Sequence, residues 1–341
     1  MSKMAGHRTN LALLIVLAWA LATGALAFAI GQGWGRWIAV AHGAGGLAAL
    51  LLAPWKAVIA KRGLRRRHAH RVASVALAVT VFLVLASGVG HATGLLRSVG
   101  GVTAMQIHVG SALAAVPLAI QHVLARRIRL RATDLSRRTM LRAVALTGGS
   151  ALVYGGLEAV SGLAGLPGRT RRFTGSYRAL SPDARGMPVT QWLNDSVPAI
   201  DAVEWRLATG PPGTSTVGVA ELEAIREPVR AVLDCTGGWF ADAAWEGVRL
   251  DRLLPSRDDG SGPARSIEVV SATGYSRRFP AGDAANLWLA TRLAGAPLSP
   301  GHGSPARLVA PGRRGFWWVK WVASIRWSDT PWWWQPPFPL T

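Results

Sequence analysis

Residues Leu233–Leu254 read LDCTGGWFADAAWEGVRLDRLL and hold the only cysteine of the 341-residue chain, Cys235. A single cysteine forms no internal disulfide. Three roles remain for it: an inert buried thiol, a reactive thiol or a metal ligand. Its flanks decide among them.

Around this stretch, from about Gly168 onward, short apolar runs alternate with Pro/Gly turns. They are VEWRLATG (203–210), VRAVLDC (229–235), RSIEVVSATG (265–274), ARLVAPG (306–312) and VKWVASIRW (319–327). Period and punctuation predict strands of a mixed α+β or mainly β domain spanning 168–341. That length is enough for a core of its own.

Four blocks in this region carry a resemblance. Asn194-Asp195-Ser196-Val197-Pro198 leads to Asp201 and Trp205-Arg206-Leu207. Leu233-Asp234-Cys235 leads to Trp245-Glu246-Gly247 and Leu253-Leu254. Gly274-Tyr275 precedes Pro280. His302-Gly303-Ser304-Pro305-Ala306-Arg307-Leu308-Val309-Ala310-Pro311-Gly312 leads to Gly315 and Val319-Lys320-Trp321-Val322. In this order they resemble the molybdopterin-binding domain of the sulfite oxidase family. The resemblance implies molybdenum held by the Cys235 thiolate and a pyranopterin dithiolene. It also implies a cofactor cradle containing Asn194, His302, Arg307 and Lys320, with Tyr275 near the metal as a proton or hydrogen-bond donor. The plainer alternatives are a surface charge for Arg307 and Lys320, a loop hydrogen-bonder for His302 and a core ring for Tyr275. One departure bears on substrate. Sulfite oxidases follow the cysteine with an Arg-bearing run, whereas here it is Thr236-Gly237-Gly238-Trp239-Phe240. That favours a neutral S- or N-oxide over sulfite.

The first half of the chain differs in character. Four runs, roughly Leu11–Gly31, Trp37–Trp55, Val72–Leu96 and Ala104–Ala125, are long enough to span a bilayer. The net charge of +20 is concentrated between them. Lys56–Arg71 carries seven Lys/Arg and no acid, and Arg126–Arg142 carries seven Arg and one Asp. Such loops point to topology and lipid, and no recognition motif speaks for nucleic acid. The positive-inside rule puts the N-terminus and both basic segments in the cytoplasm. Ser136-Arg137-Arg138-Thr139-Met140-Leu141 then opens a softly apolar run, Ala143–Gly165. This resembles a twin-arginine export signal. The resemblance implies twin-arginine export machinery as a partner and a folded, cofactor-loaded domain outside a bacterial cell membrane. The expected division is a four-helix bundle at 1–127, a twin-arginine segment plus fifth helix at 128–167, and the extracytoplasmic domain.

Histidines fall in two layers of the bundle. His42, His91 and His108 lie towards the outer end, and His68, His70 and His122 towards the cytoplasm. His108 and His122 are 14 residues apart on one run, about 21 Å along a helix and roughly 40° off the same face. The pattern resembles four-helix membrane cytochromes b. It makes His42 with His108, and His70 with His122, candidate ligand pairs for haem iron; the rival is a haem-free anchor. The joint expectation is five transmembrane helices followed by a molybdopterin oxidoreductase domain. That domain would perform two-electron, oxo-transfer chemistry on a small-molecule substrate and exchange electrons through a b-haem with a quinone or a redox partner protein. A haem-free enzyme served by an external carrier, or a non-catalytic binding module, are the alternatives. The C-terminal Trp332-Trp333-Trp334-Gln335-Pro336-Pro337-Phe338 suits either the membrane–water interface or packing on the domain.

Overall fold

The computed structural model describes residues 3–64, 71–125, 131–191, 195–210, 215–256 and 263–336. Of the expected site residues, His70 and Asn194 lie outside these. The chain forms two compact units, one of Met1–Phe28 with Gly33–Gly175, the other of Ala29–Gln32 with Ser176–Thr341.

The first unit is helical. Its helices are α1 (Lys3–Ala29), α2 (Gly35–Leu64), α3 (Arg71–Thr93), α4 (Ala104–Ala125) and α5 (Arg137–Leu163). All five are long and apolar enough to cross a membrane by length and composition. Their outer faces expose large apolar side chains such as Ile15, Phe82, Leu113 and Leu152. A two-residue hairpin, β1 (Ser98–Val99) with β2 (Val102–Thr103), joins α3 to α4, and those two helices pack along their length. The fifth helix is part of this unit, because it packs on α2. The Tyr154 ring occupies the place where a Cβ on Gly43 would stand, 2.5 Å from its Cε2. The one acid in the five helices, Glu158, is paired with Arg171.

The second unit is built from two sheets. The first contains β3 (Tyr177–Arg178), β6 (Glu227–Cys235), β7 (Trp239–Arg249), β10 (Trp288–Leu293), β11 (Ala296–Pro297) and β12 (Arg307–Val309). The second runs β5 (Thr216–Gly218), β4 (Arg206–Thr209), β13 (Val322–Ser328), β8 (Ser266–Ser271), β9 (Ser276–Pro280), with β4 and β13 parallel. A short helix, α6 (Val219–Ala224), follows β5. Both sheets turn apolar residues into one core that includes Leu207, Leu222, Trp245, Ile267, Phe279, Leu289 and Trp318. Trp245 and Trp318 pack with ring centroids 5.6 Å apart. Burying a large apolar side chain of this kind stabilises by about 1.5–3 kcal/mol.

The β6–β7 hairpin places the cysteine. It pairs residue by residue from Glu227↔Gly247 to Cys235↔Trp239. Thr236-Gly237-Gly238 makes the turn, with Gly238 at φ +92°, where a side chain would be strained. The Gly238 N–H donates to the Cys235 carbonyl at 3.2 Å. On the other edge of β7, β3 pairs in parallel with Trp239 and Phe240, which brings Ser176 beside the end of β6.

The C-terminal residues 331–336 pack on this unit. The Gln335 side chain accepts from Arg278 N–H at 2.9 Å and donates to Arg278 C=O at 2.8 Å, acting as a pseudo-strand on β9. Trp333 and Trp334 remain exposed.

Candidate functional site

Cys235 ends β6 and lines a cleft that is partly open to solvent. Its walls include Thr190, Asp195, Trp239, Tyr275, Phe316 and Trp321. The Sγ atom accepts a hydrogen bond from Gly237 N–H at 3.3 Å. Burial pushes the thiol pKa up, while this N–H, Arg314, Thr190 and Lys320 pull it down. A metal that binds the thiolate adds a far stronger pull in the same direction.

His302, Arg307 and Lys320 converge on the same cleft, and none is a surface charge or an exposed loop residue. His302 is buried and has both ring nitrogens engaged. Nε2 faces Met187 C=O at 3.1 Å, so it carries the proton, and Nδ1 accepts from Ser299 Oγ at 2.7 Å. Burial lowers its pKa, which agrees with this neutral tautomer. Arg307 is 2% exposed. Its guanidinium lies over the rings of Trp245 (5.1 Å) and Trp318 (5.7 Å) and donates to His302 C=O at 3.1 Å. Burial lowers its pKa to about 10. Lys320 Nζ donates to Thr190 C=O at 2.8 Å and Gly301 C=O at 2.7 Å. Burial, then Arg307, lower its pKa to about 7. Gly303, at φ +104°, lets these two cations approach: a Cβ there would stand 2.9 Å from Arg307 Cβ and 3.2 Å from Lys320 Cβ.

Tyr275 also lines the cleft, and its hydroxyl donates to Phe316 C=O. Burial raises its pKa, so the phenol keeps its proton. Trp239 lines the wall and donates from Nε1 to Thr190 Oγ1 at 3.3 Å. Trp321 holds a positive φ of 50°, uncommon for a bulky residue and a form of strain found at functional sites.

Behind the cysteine lies a group that the sequence reading missed. Asp234 and Arg314 form an ion pair at 2.5 Å with side chains 4% and 1% exposed. Ser176 Oγ donates to Asp234 at 2.6 Å and lies 3.3 Å from Cys235 C=O. The Arg314 guanidinium reaches the same carbonyl at 3.4 Å. The consecutive arginines 313 and 314 were a visible signal; their division of labour was not. Arg313 pairs with Asp283 near the surface, and only Arg314 turns inward.

In the helical unit, the His42 and His108 rings stand edge-on with centroids 5.8 Å apart. His42 Nδ1 donates to Ala20 C=O at 2.9 Å and His108 Nδ1 to Val84 C=O at 2.8 Å. With each proton on Nδ1, the lone pair is on Nε2. Gly24 and Gly88 make room: Cβ atoms there would stand 2.8 Å and 3.0 Å from the His42 and His108 rings. His122 Nδ1 lies 3.3 Å from Ser74 Oγ, and His91 Nε2 donates to Gly175 C=O at 2.7 Å.

Residues 194–334 match the family model of the oxidoreductase molybdopterin binding domain. The match marks this part of the second unit as similar to domains of that kind. Among solved structures, the sulfane dehydrogenase SoxCD from Paracoccus pantotrophus is similar at 22% identity and a TM-score of 0.35. The similarity covers 39% of this chain and 40% of that one. In a comparison with curated proteins, none matches.

The cleft fits the cofactor that such domains bind. A soft sulfur ligand stands at its floor, and two cations suited to an anionic group stand in its wall.

Proposed function

We propose that the protein is a membrane-anchored, molybdenum-cofactor oxidoreductase performing two-electron, oxo-transfer chemistry outside a bacterial cell membrane. The observation that carries the reading is the only cysteine of the chain, placed at the floor of the cleft with Arg307 and Lys320, inside the matched domain. When bound, the cofactor supplies the redox and oxygen-transfer chemistry. The chain supplies the thiolate of Cys235 and holds negative charge on the cofactor with Arg307 and Lys320. It orients these groups through the carbonyls of His302, Thr190 and Gly301. Asn194, at the start of the family match, joins this set on resemblance alone. Trp239, Phe316 and Trp321 exclude water from the cleft, and Tyr275 presents its phenol ring to it. Aromatic walls with Asp195 suit a neutral S- or N-oxide better than an anion such as sulfite.

Five long apolar helices support an anchored protein. The Arg137-Arg138 pair opens α5 directly after the N-cap Ser136, which supports twin-arginine export with the N-terminus in the cytoplasm. His42 and His108 fit a haem iron between them. Metal-bound imidazoles commonly donate their other nitrogen to a carbonyl, and both of these do. This pair would link the cleft electronically to a quinone or a partner protein. For the inner pair, His122 Nδ1 lies 3.3 Å from Ser74 Oγ, and His70 lies outside the described residues.

The test is molybdenum and iron per chain in detergent-purified protein from a host that makes molybdopterin. About one of each is expected. Molybdenum without iron removes the haem and makes an external carrier the electron partner. Neither metal in a folded sample overturns the enzyme reading and leaves a binding module.

A further inference from the structure

We infer that Arg314, with Asp234 and Ser176, is a positioning device for the Cys235 sulfur: a buried charge pair that locks the main chain bearing the metal ligand. The inference rests on the molybdenum reading above but is carried by separate observations. Asp234 immediately precedes the ligand, and its carboxylate is held by Arg314 at 2.5 Å and by Ser176 at 2.6 Å. The carbonyl of Cys235 is surrounded from three directions. Gly238 N–H donates to it at 3.2 Å, Arg314 approaches at 3.4 Å and Ser176 Oγ at 3.3 Å. The main chain closes the arrangement. Asp234 and Arg314 form a parallel bridge. Gly315 lies so close that a Cβ on it would stand 3.1 Å from Cys235 Cα.

A strand end beside a Gly-Gly turn is a place where a ladder frays. Here the end of β6 must hold one sulfur in a fixed position, and ordinary strand pairing stops at Cys235↔Trp239. Charge-assisted hydrogen bonds in a low-dielectric site are directional and strong, and they fix geometry where packing alone allows sliding. An ion pair this deeply buried is poor evidence for stabilisation as such, because desolvation opposes the attraction. Its place around the ligand-bearing peptide gives it a different purpose. Arg314 touches the Cys235 carbonyl and Asp234, so it acts through the ligand and not on the substrate.

The single cysteine makes the test clean. The rate at which a thiol reagent labels Cys235 in full-length, metal-free protein reports how firmly the sulfur is held. Ser176→Ala removes one neutral hydroxyl, and Asp234→Asn/Arg314→Gln removes both charges and leaves neutral polar side chains in their place. Both are expected to fold and to label about tenfold faster or more, the factor expected for loss of a charge-assisted hydrogen bond. Arg314→Lys is expected to fall between wild type and the double variant. In molybdenum-loaded protein, the Mo(V) paramagnetic spectrum of the double variant should broaden and shift. Unchanged labelling and an unchanged spectrum in the folded double variant would overturn the inference. Wild-type protein without molybdenum would overturn the molybdenum reading instead, while labelling would still judge the positioning.

Discussion

Tyr275 and Phe316 are tied together by a hydrogen bond from the phenol hydroxyl of the first to the main-chain carbonyl of the second. They sit 41 residues apart in the chain and on the same cleft wall. Tyr275→Phe removes that bond and leaves the ring in place. The expected loss of stability is about 1 kcal/mol, read as a lower midpoint in urea with an unchanged slope.

Lys320 makes the metal-free domain sensitive to alkali in an unusual direction. Its ammonium has an ordinary pKa of 10.5 and is lowered to about 7 by burial and by Arg307. Between these values the unfolded chain binds the proton and the folded chain does not, so stability rises as pH increases from about 7 to 10.5. Below about 7 both states are protonated and the penalty of burying the charge is complete. Lys320→Met should flatten this slope in thermal melts across the window. A melting profile of equal slope in the variant would show that Lys320 is not the group responsible.

Histidine variants separate the two layers of the bundle. His42→Ala and His108→Ala should each abolish the reduced-minus-oxidised b-haem band in purified membranes. His122→Ala should leave the band of this outer pair, since 14 residues of α4 separate it from His108, about 21 Å along a helix.

Gln335 substitutes for a neighbouring strand on β9 through two hydrogen bonds to Arg278 main chain. Gln335→Ala should increase amide exchange at Arg278 and along the strand edge, at a cost of about 1–2 kcal/mol. Equal exchange in variant and wild type would leave the segment without a role in covering that edge.

Much of the layout was legible in the sequence because each signal was local. Apolar runs of bilayer length became α1 to α4, and the softer run after the arginine pair became α5. Alternating runs became β4, β6, β8, β12 and β13. Strand β7 was less apparent: its residues were read as a motif, and its small alanines carry little strand propensity. Cys235, Tyr275, His302, Arg307 and Lys320 do meet at one cleft. What the sequence concealed was the use of each polar group. His302 and Lys320 present mostly backbone-directed hydrogen bonds, which depend on carbonyls that only the folded chain brings near. The Asp234–Arg314 pair spans 80 residues, and spacing alone does not show such a partner.

Arg307 is sealed among Trp245, Trp318 and the His302 carbonyl, and among the described residues no carboxylate pairs with it. Most Lys and Arg among the described residues are exposed, where dissolved ions screen their attraction over about 10 Å at moderate ionic strength. An anionic group that fills the cleft covers Arg307 and keeps mobile ions from it. An anionic group docked against it would therefore feel nearly the same pull in brine as in dilute buffer, while contacts made by the chain's outward-facing arginines would fade.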